Sequence, residues 1–442
     1  MTALTGQHEN GRHVNSPSGH DSDPHETDLR RIRALILAAD GPEEQLAAVI
    51  RSAGAEQTAA DLVDELAGRA DLSEQLAAAA TVVEFALAFD GQVVRRHLLT
   101  GPKAEHRAGP ADEPSATVEL DLLDLARAVF GARHTAGHRT PRITWNGIED
   151  PARLMHVLPA FPVVQQLLRG LVEQPLDLAE LSLRHGSDKW GLHYYTEHYA
   201  RHFAPLRDRP LTVLELGIGG YGDPAAGGGS LRMWKRFFRR GLVYGVDVYD
   251  KTALREQRIH TVQGDQADPA FLTALAERIG PIDIVIDDGS HYCPDVIASF
   301  GALFPHVVPG GLYVIEDLQT SYWPGYGGSS ERLGDPTTSM GFLKQLLDGL
   351  NHEEHEPPTA HRPSGTDRTL AGAHFYHNLA ILDKGRNEEG TVPAWIPRRP
   401  LSAEEVADAQ QAAHRAAEQQ SESQSESQSE SQPEAGPDRD AG

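Results

Sequence analysis

One cysteine, Cys293, occurs in 442 residues, so neither an internal disulfide nor a cysteine-based zinc site can form. Basic residues are few: 40 Lys and Arg face 64 Asp and Glu, for a net charge of −24. That balance excludes sustained nucleic-acid binding, which needs a cationic surface to neutralise phosphates. A role at an anionic membrane surface is disfavoured for the same reason. No run of about 18 apolar residues exists to span a bilayer, and the N-terminal stretch MTALTGQHENGRHVNSPSGHDSDPH lacks the apolar centre of a secretory signal. A cytoplasmic protein is expected. Aromatics amount to only 6%, beside 39% hydrophobic and 24% charged residues, the balance of a globular chain with polar tails.

What is present divides into four parts. Residues 1–27 are polar and without periodicity, and are expected to be a disordered tail whose His8, His13, His20 and His25 are solvated. Residues 28–170 form an accessory region. Helical spacing is visible over Leu29–Ala39, Pro42–Ala53 and Gln57–Ala67, and residues 82–99 read as a hairpin turning at Asp90-Gly91. A helix near Leu120–Phe130 and a strand near Arg142–Trp145 follow. Residues 171–400 alternate short apolar strands (Leu211–Leu216, Leu242–Asp247, Ile259–Gln263, Ile282–Asp287, Gly311–Ile315) with helices starting near Ser230, Pro269, Pro294 and Ser339. This order predicts an α/β fold, a Rossmann-like, mostly parallel, doubly wound sheet completed at one edge by a late strand pair around Phe375–Leu382. Residues 401–442 read as a helix through Ala403–Gln419, then a Ser/Glu/Gln repeat too poor in apolar residues to fold. Between Ser402 and the C-terminus ten acidic residues face two basic ones, so the tail carries a third of the net charge.

Ligands of such sheets bind beyond the carboxyl ends of the strands. The first strand ends in Glu215, followed by Gly217, Gly219 and Gly220. The letters fit G-x-G-x-x-G, but Asp223-Pro224 and three further glycines delay the helix to Ser230, a suitable cap. Glu215 would also repel a pyrophosphate, whereas an acid here suits a cationic ligand. Glu-x-Gly-x-Gly after a first strand is the usual loop of S-adenosylmethionine (SAM) methyltransferases. Asp247 ends the second strand, where an acid can accept from ribose hydroxyls. Gly264, Asp265 and Gln266 close the third and are placed to meet the adenine edge or the ribose.

The fourth and fifth strands end in Asp287-Asp288 and Glu316-Asp317. Four acids gathered at neighbouring strand mouths repel one another unless a cation intervenes. Oxygen ligands select a hard dication, Mg²⁺ or Mn²⁺. Asp288, Glu316 and Asp317 are the expected ligands, and Asp287 is expected to face the cofactor. His291, three residues beyond Asp288, is placed to take a proton from a metal-bound hydroxyl.

With HGSDKWGLHYYTEHY (185–199), LELGIGGYGDPAAGGGSLRMWKRFF (214–238), YGVDVYDK (244–251), QGDQADP (263–269), IDDGSH (286–291) and VIEDLQTSYWPGYGG (314–328), the chain resembles a known family. These are the metal-dependent sugar O-methyltransferases of macrolide and related polyketide antibiotic biosynthesis, the type acting on mycinamicin and tylosin precursors. The resemblance covers roughly residues 180–390. It implies SAM-dependent methylation of a deoxysugar hydroxyl on a glycosylated polyketide, with Mg²⁺ on Asp288, Glu316 and Asp317 and His291 as base. It also implies a homo-oligomer, a tetramer, whose N-terminal part helps to build the substrate pocket. Lys189, His193, Tyr195 and Thr196 correspond to the segment that covers the methionine end of SAM in such enzymes. Two rival readings are a nicotinamide-dependent oxidoreductase using the glycine loop, and a non-enzymatic SAM- or nucleotide-binding assembly protein.

Overall fold

The computed structural model describes residues 23–72, 81–100, 104–132, 141–172, 176–356, 362–393 and 395–429. His8, His13 and His20 and residues 430–442 lie outside that range. Three helices come first: α1 (Pro24–Ala38), α2 (Glu43–Ala53) and α3 (Ala55–Ala70). Apolar residues at three- and four-residue spacing bury one side of α1, through Leu29, Ile32, Leu35 and Ile36. This helix begins inside the segment expected to be tail. Asp23 caps it through the His25 amide, Pro24 takes an early position where no amide is needed, and Asp23 also pairs with Arg255.

The expected hairpin is β1 (Val82–Phe89) and β2 (Gln92–Leu99), with positive φ at both Asp90 and Gly91, as a tight two-residue turn requires. With β3 (Glu105–Ala108), β4 (Ala116–Asp121) and β5 (Arg142–Trp145) it forms a sheet in the order β3-β2-β1-β4-β5. Strand β4 runs parallel to β1 and passes directly into α4 (Leu122–Phe130), which Asp121 caps. Helices α5 (Pro151–Val157), α6 (Ala160–Arg169), α7 (Leu178–His185) and α8 (Thr196–Phe203) lead on to the second sheet.

That sheet holds β6 (Leu211–Leu216), β7 (Gly241–Asp247), β8 (Ile259–Gln263), β9 (Ile282–Asp287), β10 (Val307–Ile315), β11 (Leu370–Tyr376) and β12 (Leu379–Lys384). Their order is β11-β12-β10-β9-β6-β7-β8, with β12 antiparallel to both of its neighbours. Helices α9 (Gly229–Phe237), α10 (Pro269–Ile279), α11 (Cys293–Leu303) and α12 (Ser339–Leu350) connect them. Leu214, Leu216, Val285 and Tyr313 enter a core shared with the N-terminal helices, while Val213, Ile284, Ile286 and Val314 enter a second core on the opposite face. Burial of both faces is why these strands read as unbroken apolar runs.

The N-terminal region is joined to this sheet by ions as well as by apolar contact. Glu65 of α3 is fully buried, 2.8 Å from Arg69 and 2.7 Å from Arg258, and Arg258 also donates to the carbonyls of Phe238 and Gly241. Residues 388–442 form a separate compact unit. In it Ser402 and Glu405 cap each other's amides at the start of α13 (Ala403–Ser429). The helix continues ten residues past the expected Gln419, because Glu and Gln propagate a helix that a good cap has started. Among the described residues, no helix is long and apolar enough to cross a membrane.

Candidate active site

Connections run in opposite directions from β6 and β9, and the crevice between them is the switch point at which doubly wound sheets bind ligands. A cleft of about 520 Å³ opens there, a size suited to a cofactor. Its walls include Gly217, Gly219, Gly220, Ser230, Asp247, Gly264, Asp265, Gln266, Asp288, His291 and Asp317. Tyr195, Thr196, Glu215, Asp287 and Glu316 stand behind those walls.

The backbone sets this arrangement. Gly217 has φ +89°, and a Cβ there would lie 2.1 Å from the Asp288 carbonyl oxygen, so the glycine lets the ends of β6 and β9 touch. Gly219 and Gly220 also have positive φ. Lys251 braces the long loop by donating to the carbonyls of Asp223 and Ala226 at 2.7 and 3.0 Å. Asp247 accepts the amides of Ile218 and Tyr249, both at 3.0 Å, which fixes its carboxylate at the cleft. Asp265 accepts the Ala267 amide at 2.8 Å and holds the β8 turn.

Two expectations need correction. Ser230 is not the helix cap: α9 starts at Gly229 after Gly228 at φ +73°, and the Ser230 hydroxyl donates to Glu215 at 3.0 Å. Asp287 does not face the cleft. It is 1% exposed and accepts from Ser299 and from Gln266, which at its other end accepts the Ser290 amide at 2.8 Å. Gln266 and Asp287 therefore hold the Asp288–His291 turn in place from behind. Burial pushes Asp287 up to about 6 despite those bonds.

Lys189 is the group whose role the sequence did not disclose. Its ammonium is fully buried, 2.7 Å from both Asp288 and Glu316 and 3.6 Å from Glu215. Burial would depress it, but the facing acids hold it well above its ordinary value. Tyr199 donates to Glu316, and Trp234 to Glu215 at 3.1 Å. Neither aromatic carries a sequence signal apart from its helical spacing. One ammonium does not balance Glu215, Asp288, Glu316 and Asp317. Burial pushes Glu215 up to about 7, burial raises Asp288 in spite of Lys189, and burial with Asp288 alongside raises Glu316. The surplus negative charge is the environment a further cation satisfies.

Asp317 and His291 both have left-handed backbones, at φ +52° and +56°, which turn their side chains toward Asp288. Donor atoms of Asp288, His291 and Asp317 lie within 4.8 Å of one another, a spacing able to hold a metal ion. His291 Nε2 is 3.6 Å from Asp317, as is His193 Nε2, and the Tyr195 hydroxyl donates to Asp317 at 2.8 Å. Thr196 is buried at the first position of α8.

The reversed β12, inserted next to the edge, departs from the all-parallel dinucleotide-binding sheet. With the acid-led glycine loop, it defines the class as a SAM-methyltransferase fold. Known proteins agree. Residues 32–141 match the family model described as MycE methyltransferase N-terminal. The 8-demethyl-8-alpha-L-rhamnosyl tetracenomycin-C 2'-O-methyltransferase of Streptomyces olivaceus is 49% identical over 80% of this chain and 95% of its own. Mycinamicin VI 2''-O-methyltransferase of Micromonospora griseorubida is 45% identical over 72% of this chain and 82% of its own. The solved MycE methyltransferase in complex with Mg, SAH and Mycinamycin VI is 39% identical, with a TM-score of 0.76 over 86% of this chain and 99% of that one. The chain belongs to this O-methyltransferase family. Neither the oxidoreductase nor the non-enzymatic reading finds support.

Proposed function

We propose that this protein transfers a methyl group from SAM to a hydroxyl of a deoxysugar carried by a polyketide antibiotic precursor, with Mg²⁺ required. The observation that carries the reading is the meeting of Asp288, His291 and Asp317 at one wall of the switch-point cleft. The names of the relatives support the acceptor class, and the Mg and SAH in the MycE complex support the cofactors.

Asp288, Glu316 and Asp317 would hold the ion, and among the described residues no hydrogen bond engages Asp288 Oδ1 or Glu316 Oε2. When bound, the dication would stabilise negative charge on a sugar oxygen and SAM would offer an electrophilic methyl group. The chain's own residues do the rest. His291 takes the hydroxyl proton on its ring, and Asp317 beside Nε2 stabilises the resulting imidazolium. Asp247, Gly264, Asp265 and the Gly217–Gly220 loop bind the nucleoside. Gln266 and Asp287 position the His291 turn, and Ser230, tied to Glu215, sets the start of α9 at the cleft. His193 and Tyr195 stand against Asp317 and Lys189 holds Asp288 and Glu316 from behind; together with Thr196 they would cover the methionine end of SAM.

The reading extends to a homo-oligomer, a tetramer, in which residues 28–170 complete the substrate pocket. An open depression on the first sheet sets Ala86, Ala88, Val93 and Leu120 beside the charged Arg95, Glu119, Asp121, Asp124 and Arg142, a mixed surface that a second copy would cover. Light scattering that returned the mass of a single chain would remove this part. The main test is a methylation assay on glycosylated polyketides, run after EDTA treatment with and without added Mg²⁺. Mg²⁺-dependent methyl ether formation is expected, and Asp288→Ala should abolish the metal response. Transfer that proceeds equally without metal overturns the ligand assignment.

A further inference from the structure

Outside the cleft, α8 and the β11–β12 hairpin bring together His202, His374 and Asp383, which have no part in the reaction above. A ring nitrogen from each histidine and a carboxylate oxygen from Asp383 lie within 4.8 Å of one another. The His202 and His374 rings are 4.5 Å apart between centroids, and His374 Nε2 is 2.8 Å from Asp383 Oδ2.

Several features hold the three side chains in place. Gly372 pairs with Asp383 across the strands, and a Cβ there would come within 2.6 Å of Asp383 Oδ2, so the missing side chain leaves the room that the carboxylate fills. The Tyr376 hydroxyl lies 2.9 Å from His202 Nε2. One turn earlier on α8, His198 stacks on the Tyr376 ring at 3.8 Å, and its Nδ1 is buried without a hydrogen-bond partner. The four-residue spacing of His198 and His202 places both imidazoles on one helical face.

Two imidazoles and one carboxylate, with no thiolate, suit a borderline dication better than Mg²⁺. We propose that His202, His374 and Asp383 form a second metal site, for a zinc-class dication, separate from the carboxylate-rich site at Asp288 and Asp317. An ion there ties α8 to the hairpin. Both elements support the Asp317 segment: Tyr195, just before α8, donates to Asp317, and the Asn378 carbonyl in the hairpin turn accepts the Leu318 amide at 3.1 Å. The bound ion would thus stiffen the backing of the Asp317 carboxylate.

The test uses metal-free full-length protein with Mg²⁺ in large excess, titrated with Co²⁺ as a spectroscopic probe and with Zn²⁺ under thermal melting. One equivalent of Co²⁺ with visible ligand-field absorption is expected, displaced by Zn²⁺, and Zn²⁺ should raise the melting temperature. His374→Ala and Asp383→Asn should each weaken Co²⁺ binding by at least about tenfold, the lower bound for disturbing a ligand's surroundings. The His374 side chain is 43% exposed, so its removal should leave folding and Mg²⁺-supported methylation unchanged. Equal Co²⁺ affinity in the wild type and both variants, or no tight equivalent in the wild type, overturns the site.

Discussion

Single residues carry the chemistry because the backbone gives each one a direction. The left-handed conformations of His291 and Asp317 aim an imidazole and a carboxylate at the same point in the cleft. His291→Ala should lower kcat by roughly 10²–10⁴-fold, the usual worth of a positioned base, while SAM affinity measured by calorimetry changes little. An unchanged kcat would remove the base assignment. Gly217→Ala tests the junction of β6 and β9. Its φ alone makes the substitution cost about 1–3 kcal/mol, and a Cβ would strike the Asp288 carbonyl oxygen at 2.1 Å. Loss of SAM binding together with a lowered melting temperature is expected.

At the scale of elements, the first turn of α1 shows how a segment that resembles tail becomes structure. His25 stacks on His260 of β8, with ring centroids 5.3 Å apart, and reaches the Ile259 carbonyl at 2.8 Å. Burial, with Arg255 and His25 alongside, pushes His260 down to about 4. The unfolded chain therefore takes up a proton near pH 6.5 that the native protein refuses until about pH 4. Stability should fall as pH drops through that window, and His260→Gln should flatten the slope in urea midpoints measured from pH 7 to pH 4. An identical slope in the variant would show that α1 docking is not the source. The helix start was hidden because Asp23-Pro24 gains meaning only against Arg255, which lies far along the chain.

For the whole molecule, the Glu65–Arg69–Arg258 network joins the N-terminal helices to the seven-stranded sheet. The two arginines hold Glu65 far below the usual carboxylate range in spite of its burial. Its contribution is present above about pH 4.5 and is lost as pH falls below that value. Glu65→Gln strands two buried cations and should cost about 3–5 kcal/mol, read as a lower denaturant midpoint. Both sheets should still unfold in one transition, since they share a core. Two separated transitions in the wild type would contradict that coupling.

The amino-acid order alone was enough for the strands β6, β8 and β9, the hairpin at Asp90-Gly91 and the acids at successive strand ends, because periodicity and turn chemistry act over a few residues. It did not disclose β4, the first turn of α1 or the partners of Lys189, because these depend on contacts between distant segments. A lysine in HGSDKWG carries no mark of burial until the ends of β6, β9 and β10 surround it with carboxylates. Likewise, Asp287 and Asp288 are neighbours in the chain, yet alternation at the end of a strand sends one to brace the turn and the other to the cleft. Local rules placed the charged groups at one end of the sheet, and long-range packing assigned each its partner.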